Sequence, residues 1–318
     1  MSIVDIYQKE FCGQCAEGCA FSLVEYCGGY DMGVDAEGRA VVVVESSTPK
    51  AHPLAQETRS LRMECNVKVK CLVCGESLEK TVHALTCIPR DVETINLFLE
   101  LADLLLRKAD RTAEGVMTVY SALADFFANS ELMTDNELLG LYGELFTICD
   151  YASNYDFAAC WQSTNRMKFD FSISEKLKVE VKTTLKPQRI HHFKHDQIVA
   201  DGCDVYVISY QMRPDDQGLS LYELIEMSKE LCVDDPKKVM KLQQVIKNVG
   251  SERLSNFKFN QDFARQERYV YYSIQLPHFR GASPDGVSSA EYDVDFTGVP
   301  TVSEETFLQI VSLNANSM

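Results

Sequence analysis

No run of about 18 consecutive apolar residues occurs in the 318-residue sequence, which argues against a membrane-spanning helix. The N-terminus, Met1-Ser2-Ile3-Val4-Asp5, lacks a basic segment followed by an apolar one, so no secretory leader is read and a cytoplasmic protein is expected. Internal repeats and low-complexity tracts are missing too. Positive charge is scarce: 31 Lys and Arg stand against 47 Asp and Glu, a net of −16, which taken globally argues against a nucleic-acid binder. With 46% hydrophobic and 25% charged residues, the composition is otherwise that of a globular protein able to bury a large core.

The charge deficit is uneven. Residues 1–160 hold 12 Lys and Arg against 25 Asp and Glu, whereas the rest hold 19 against 22. Within 176–195, Lys176, Lys178, Lys182, Lys186, Arg189 and Lys194 oppose Glu180 alone, with His191, His192 and His195 in the same window. Such local basicity suits a phosphodiester substrate, although a solvated basic face is the plainer alternative. Twelve cysteines without a leader read as reduced thiols. Cys12 with Cys15 and Cys71 with Cys74 are spaced like zinc knuckles, but the pairs are far apart and Cys12, Cys15 and Cys19 also fit one helix face, so zinc is not expected.

The stretch from Lys168 to Thr184 carries the chemistry. Lys168-Phe169-Asp170-Phe171-Ser172-Ile173 and Leu177-Lys178-Val179-Glu180-Val181-Lys182-Thr183-Thr184 both alternate with the period of half-buried strands. Apolar residues take one face, which leaves Asp170, Glu180 and Lys182 on the other. With Ser174-Glu175-Lys176 as the turn, Asp170 falls across from Glu180, with Cβ atoms about 5 Å apart. Two carboxylates at that distance repel by roughly 3 kcal/mol at an effective dielectric near 20, so a divalent metal between them is inferred, with Lys182 beside it.

Asp170, a gap of nine residues and Glu180-Val181-Lys182 resemble the PD-(D/E)XK nuclease signature. Together with Gly140-Leu141-Tyr142-Gly143-Glu144-Leu145, Phe169-Asp170-Phe171 and Val179-Glu180-Val181-Lys182-Thr183-Thr184, they resemble one prokaryotic family of that superfamily over most of the chain; Phe169 replaces the superfamily's Pro. The resemblance implies an α/β (α+β) fold with a mixed sheet flanked by helices. It also implies a Mg²⁺-dependent DNA endonuclease, Mn²⁺ substituting, of a restriction or antiphage system. Asp170, Glu180, the Val181 carbonyl and Glu144 would then hold metal, Lys182 would act on water, and Gln197 would orient water or backbone. A repair or recombination nuclease stays open. So does an idle subunit that binds protein partners of a defence operon through the acidic N-terminal half, and so does a homodimer.

Three regions are expected: a β-rich domain over 1–90, bridging helices over 91–130, and the nuclease-like domain with its C-terminal extension over 131–318. Strands are read at 39–45, 62–71 and 81–88, and helices from Asp91 and over 112–128. Thr134-Asp135-Asn136-Glu137 is a capping box that starts a helix to about Asp150. Gly140 and Gly143 in that helix suggest close backbone packing, and Glu144 lies at the margin of its core face. A weak strand is read at 156–161, a helix at 190–200 and a central strand at 203–210. Helices at 220–231 and 236–249 follow, the second making Lys237, Lys238 and Lys241 a further basic surface for duplex DNA. Strands over 269–276 and 290–296 and a helix over 303–313 complete the reading.

Overall fold

The chain divides into two units, Met1–Ser130 and Glu131–Met318. The computed structural model describes residues 2–11, 15–26, 29–47, 51–130, 132–162, 168–279 and 289–315. Among them no helix is long and apolar enough to cross a membrane.

The first unit opens with α1 (Ile3–Glu10), continues through β1 (Phe21–Tyr26), β2 (Tyr30–Asp35), β3 (Ala40–Glu45), β4 (Leu54–Glu57), β5 (Leu61–Val73) and β6 (Glu76–Cys87), and ends in α2 (Val92–Leu106) and α3 (Ala113–Ala128). The strand order is β1-β2-β3-β6-β5-β4, and β1 also pairs in parallel with β5. That extra pairing closes β1, β2, β3, β6 and β5 into a barrel, with β4 left on its edge. Phe21, Leu23, Val41, Val43, Cys71, Val73, Val82 and Ala84 pack together as its core. The helices expected to bridge the halves instead belong to this unit: α2 packs on β3, and α3 on β5 and β6. Their apolar residues explain it, since Phe98, Leu99, Leu101, Val116, Val119 and Leu123 need a hydrophobic surface to cover.

The second unit begins with α4 (Asp135–Asp150), α5 (Phe157–Cys160), β7 (Phe171–Ser172), β8 (Leu177–Thr184), β9 (Ile190–Lys194), α6 (His195–Ile198) and β10 (Asp204–Gln211). It continues with β11 (Pro214–Ser220), α7 (Leu221–Leu231), α8 (Pro236–Val249), α9 (Ser251–Asn256), β12 (Lys258–Phe259), α10 (Gln261–Gln266), β13 (Arg268–Tyr272), β14 (Glu291–Asp295) and α11 (Glu304–Ala315). The architecture is mixed α/β, of the α+β kind. Its central sheet runs β13-β10-β8-β7, with β8 and β10 parallel and the outer pairs antiparallel. Val179, Val181, Ile208 and Tyr210 join one core with residues of α4, α7 and α11, while Val207, Tyr271, Phe193 and Phe296 form a second. The capping box at Thr134 and Glu137 is present.

Three expected elements take a different form. The strand expected over 168–173 is only Phe171–Ser172, although its register against Val179 and Lys178 is the expected one. The segment 156–161 is a helical turn capped by Asp156, whose Oδ1 accepts the Ala159 N–H, and Trp161 then bridges to Phe171. The helix expected over 190–200 is strand β9 followed by one turn, α6. His191 and Phe193 point inward while Ile190, His192 and Lys194 point out, a period of two that β14 satisfies by pairing.

Candidate active site

Asp170 immediately precedes β7, and its Oδ2 accepts the Val181 N–H at 2.7 Å. The carboxylate thus takes the donor that a longer β7 would have paired, which is why the ladder stops at Phe171. One position back on β8, Glu180 is 3% exposed. Its Oε1 receives Lys182 Nζ at 2.8 Å and Gln197 Nε2 at 2.8 Å. Gln197 is fixed from two further sides, since its Nε2 also donates to the Lys168 carbonyl and its Oε1 accepts the Lys194 N–H, each at 3.1 Å. The Lys182 ammonium lies 4.6 Å from the centre of the Phe193 ring, which holds it over the carboxylate.

The negative charge is poorly compensated. Oε2 of Glu180 is buried and has no hydrogen-bond partner among the described residues. Burial, then the charges of Glu180 and Glu144, push Asp170 well above the usual carboxylate range. Burial raises Glu180 as well, against the pull of the Lys182 ammonium. Glu144, partly buried on α4, contributes charge to both, and its own Oε2 accepts the Trp161 indole N–H at 2.7 Å. An orphaned, buried carboxylate oxygen beside a second raised carboxyl fits a divalent cation. Among the described residues no three His, Cys, Asp or Glu side chains form a ligand set by themselves. The donors that fit are therefore Asp170 and Glu180, the Val181 carbonyl, which strand geometry sets on the same edge as its N–H, and solvent, with Glu144 at the margin. Such an open shell suits an ion that keeps several waters.

Few of the expected phosphate contacts face outward and unpaired. Arg189 is turned inward, donating to the Ser209 carbonyl and Oγ and to Glu267, with its guanidinium over Tyr269. His191 is buried against Ser209 Oγ at 2.8 Å, and burial holds it neutral, down at about 3. Lys238 is buried and donates to the Ala158 and Ala159 carbonyls, and Lys241 lies over the Trp161 ring. Those four residues are thereby assigned to the protein's own framework. His192 is exposed but flanked by Glu291 and Asp293, and Lys194 stands 4.0 Å from Glu291. Lys186 and Lys237 are exposed. His191 and His195, both within the helix expected over 190–200, lie on different elements, and His195 bonds Tyr292. Cys12 lies outside the described residues; Cys71 is buried while Cys74 is exposed in the β5–β6 turn, and the described cysteines are free thiols.

Two residues of the site escaped the sequence reading. Trp161 binds Glu144 from 17 positions away, a distance no periodicity spans. Phe193 was hidden because its stretch reads as helical until β14, about a hundred residues later, is paired with it.

A mixed sheet that carries Glu180 and Lys182 on β8, with Asp170 just ahead of the adjoining β7 and Glu144 offered by the first helix of the unit, has the organisation of the PD-(D/E)XK nuclease-type fold. Residues 30–297 match the family described as "Putative PD-(D/E)XK family member, (DUF4420)", and the chain belongs to that family. No curated protein and no solved structure matches the chain.

Proposed function

We propose that this protein is a divalent-metal-dependent DNA endonuclease whose cleavage centre is Asp170, Glu180 and Lys182. The observation that carries the reading is the partnerless, buried Oε2 of Glu180 beside an Asp170 whose carboxyl is raised, with Lys182 Nζ 2.8 Å from the other Glu180 oxygen. A bound Mg²⁺ or Mn²⁺ polarises a phosphate oxygen and lowers the pKa of the attacking water. Asp170 and Glu180 with the Val181 carbonyl hold the ion. Lys182, anchored by Glu180 and Phe193, orients the water and stabilises charge on the phosphorane. Gln197 keeps Glu180 in place. A role in restriction or antiphage defence is supported by the family alone.

Incubation of plasmid, linear, methylated and unmethylated DNA with the protein in Mg²⁺ or Mn²⁺ tests the proposal. Cleavage is expected, with Lys182→Ala slower by at least about 100-fold and its melting temperature little changed. Wild-type rates from Lys182→Ala would remove Lys182 from the mechanism, and intact DNA under every condition would favour an idle binding subunit.

A further inference from the structure

We infer that Trp161 is a positioning residue that sets Glu144 for the cation of the carboxylate site. The inference rests on the metal reading above and concerns how this chain prepares that site.

Trp161 is 2% exposed, and the chain has no other tryptophan. A buried indole N–H needs an acceptor, and here it donates to Glu144 Oε2 at 2.7 Å. The bond commits one carboxylate oxygen of Glu144, fixes the rotamer of a long, flexible side chain, and leaves Oε1 to serve the ion through water.

The indole is itself held from several sides. Trp161 bridges to Phe171 in β7, and the next N–H, that of Gln162, donates to the Asp170 carbonyl at 2.8 Å. From α8, Lys238 Nζ donates to the Ala158 and Ala159 carbonyls at 2.7 and 2.8 Å. Lys241 Nζ stands 4.5 Å from the ring centre, on its cation-binding face. The α8 lysines therefore brace the short α5 turn and the indole after it, and the indole braces Glu144. Partners that orient metal-binding groups in this way typically contribute about 10- to 100-fold in metal affinity.

The test is the Mg²⁺-dependent rise in melting temperature of wild type, Trp161→Phe, Glu144→Gln, the double variant and Asp170→Asn. Trp161→Phe keeps an aromatic ring and loses the N–H. Its Mg²⁺ midpoint is expected to rise about tenfold or more while its melting temperature in chelator stays within a few degrees of wild type. The double variant should bind no more weakly than Glu144→Gln alone, since Trp161 acts through Glu144. An unchanged midpoint in Trp161→Phe, or losses that simply add in the double variant, would overturn the assignment. Because the wild-type protein holds a single indole, its emission supplies a second readout independent of the variant's folding. Saturating Mg²⁺ should shift the emission of wild type and not that of Glu144→Gln, and a silent wild-type emission would also overturn it. If wild-type melting ignores Mg²⁺ altogether, the metal reading fails and takes this inference with it. A wild-type response that Asp170→Asn loses and Trp161→Phe keeps leaves the metal reading standing and removes only Trp161.

Discussion

Titratable side chains on β8 and β9 are handled in opposite ways. Glu180 is buried beside Asp170, and both carboxyls are pushed up, first by burial, whereas His191, also buried, avoids charge by staying neutral beside Ser209. The pH consequence of His191 can be signed. In the fold it takes a proton only at about 3, while the unfolded chain takes one from about pH 6.5 downward, so its contribution to stability is lost as pH falls between those values. Asp170 runs the other way, because a raised folded pKa gives stability that is present in acid and lost as pH rises through it. Between pH 6 and pH 4.5 the raised carboxyls contribute to both proteins, so the difference in denaturant unfolding between wild type and variant isolates the histidine: His191→Gln is expected to flatten the fall in stability by about 1.4 kcal/mol per pH unit relative to wild type. Parallel curves for the two proteins would mean that His191 titrates normally. None of this was readable beforehand, since a histidine in a lysine-rich window looks like surface until the strand carrying it is paired.

Among the elements, the hairpin was legible and the strand after it, read as a helix, was not. Period-two alternation and a short turn are local signals, so the register of Phe171 against Val179 could be read; the early end of β7 could not, because it depends on a side chain taking a backbone donor. The two glycines of α4 show the same limit. Both looked like close-packing sites, yet a Cβ on Gly140 meets nothing within 4 Å, while one on Gly143 would lie 2.3 Å from Thr183 Cγ2 and 3.1 Å from Val181 Cγ1. Thr183 cannot simply rotate away, because its Oγ1 donates to the Leu139 carbonyl. Gly140→Ala is therefore expected to stabilise the protein by about 0.5 to 1 kcal/mol, and Gly143→Ala to destabilise it by about 1 to 3 kcal/mol. Chemical denaturation of both variants checks this; equal effects would place α4 farther from β8.

For the whole molecule, periodicity was enough for a β-rich first part, and the family resemblance implied the mixed fold that follows it. They did not show the barrel closure, which depends on β1 meeting β5 some fifty residues later, nor that α2 and α3 belong with it. The charge map was read correctly as uneven but too literally as a DNA footprint, because Arg189, Lys238 and Lys241 spend their charge inside the unit. What the fold does bring together is the carboxylate pair, and its stability is the direct test. Asp170→Asn preserves an acceptor for the Val181 N–H and removes one charge, so in chelator the second unit, followed through Trp161 emission, is expected to melt a few degrees above wild type. With saturating Mg²⁺ or Mn²⁺ the order should narrow or reverse, since wild type gains stability by binding the ion in its folded state. If Asp170→Asn melts below wild type in chelator and wild type does not respond to either metal, Asp170 and Glu180 do not form a cation site, and the cleavage centre proposed for this protein is wrong.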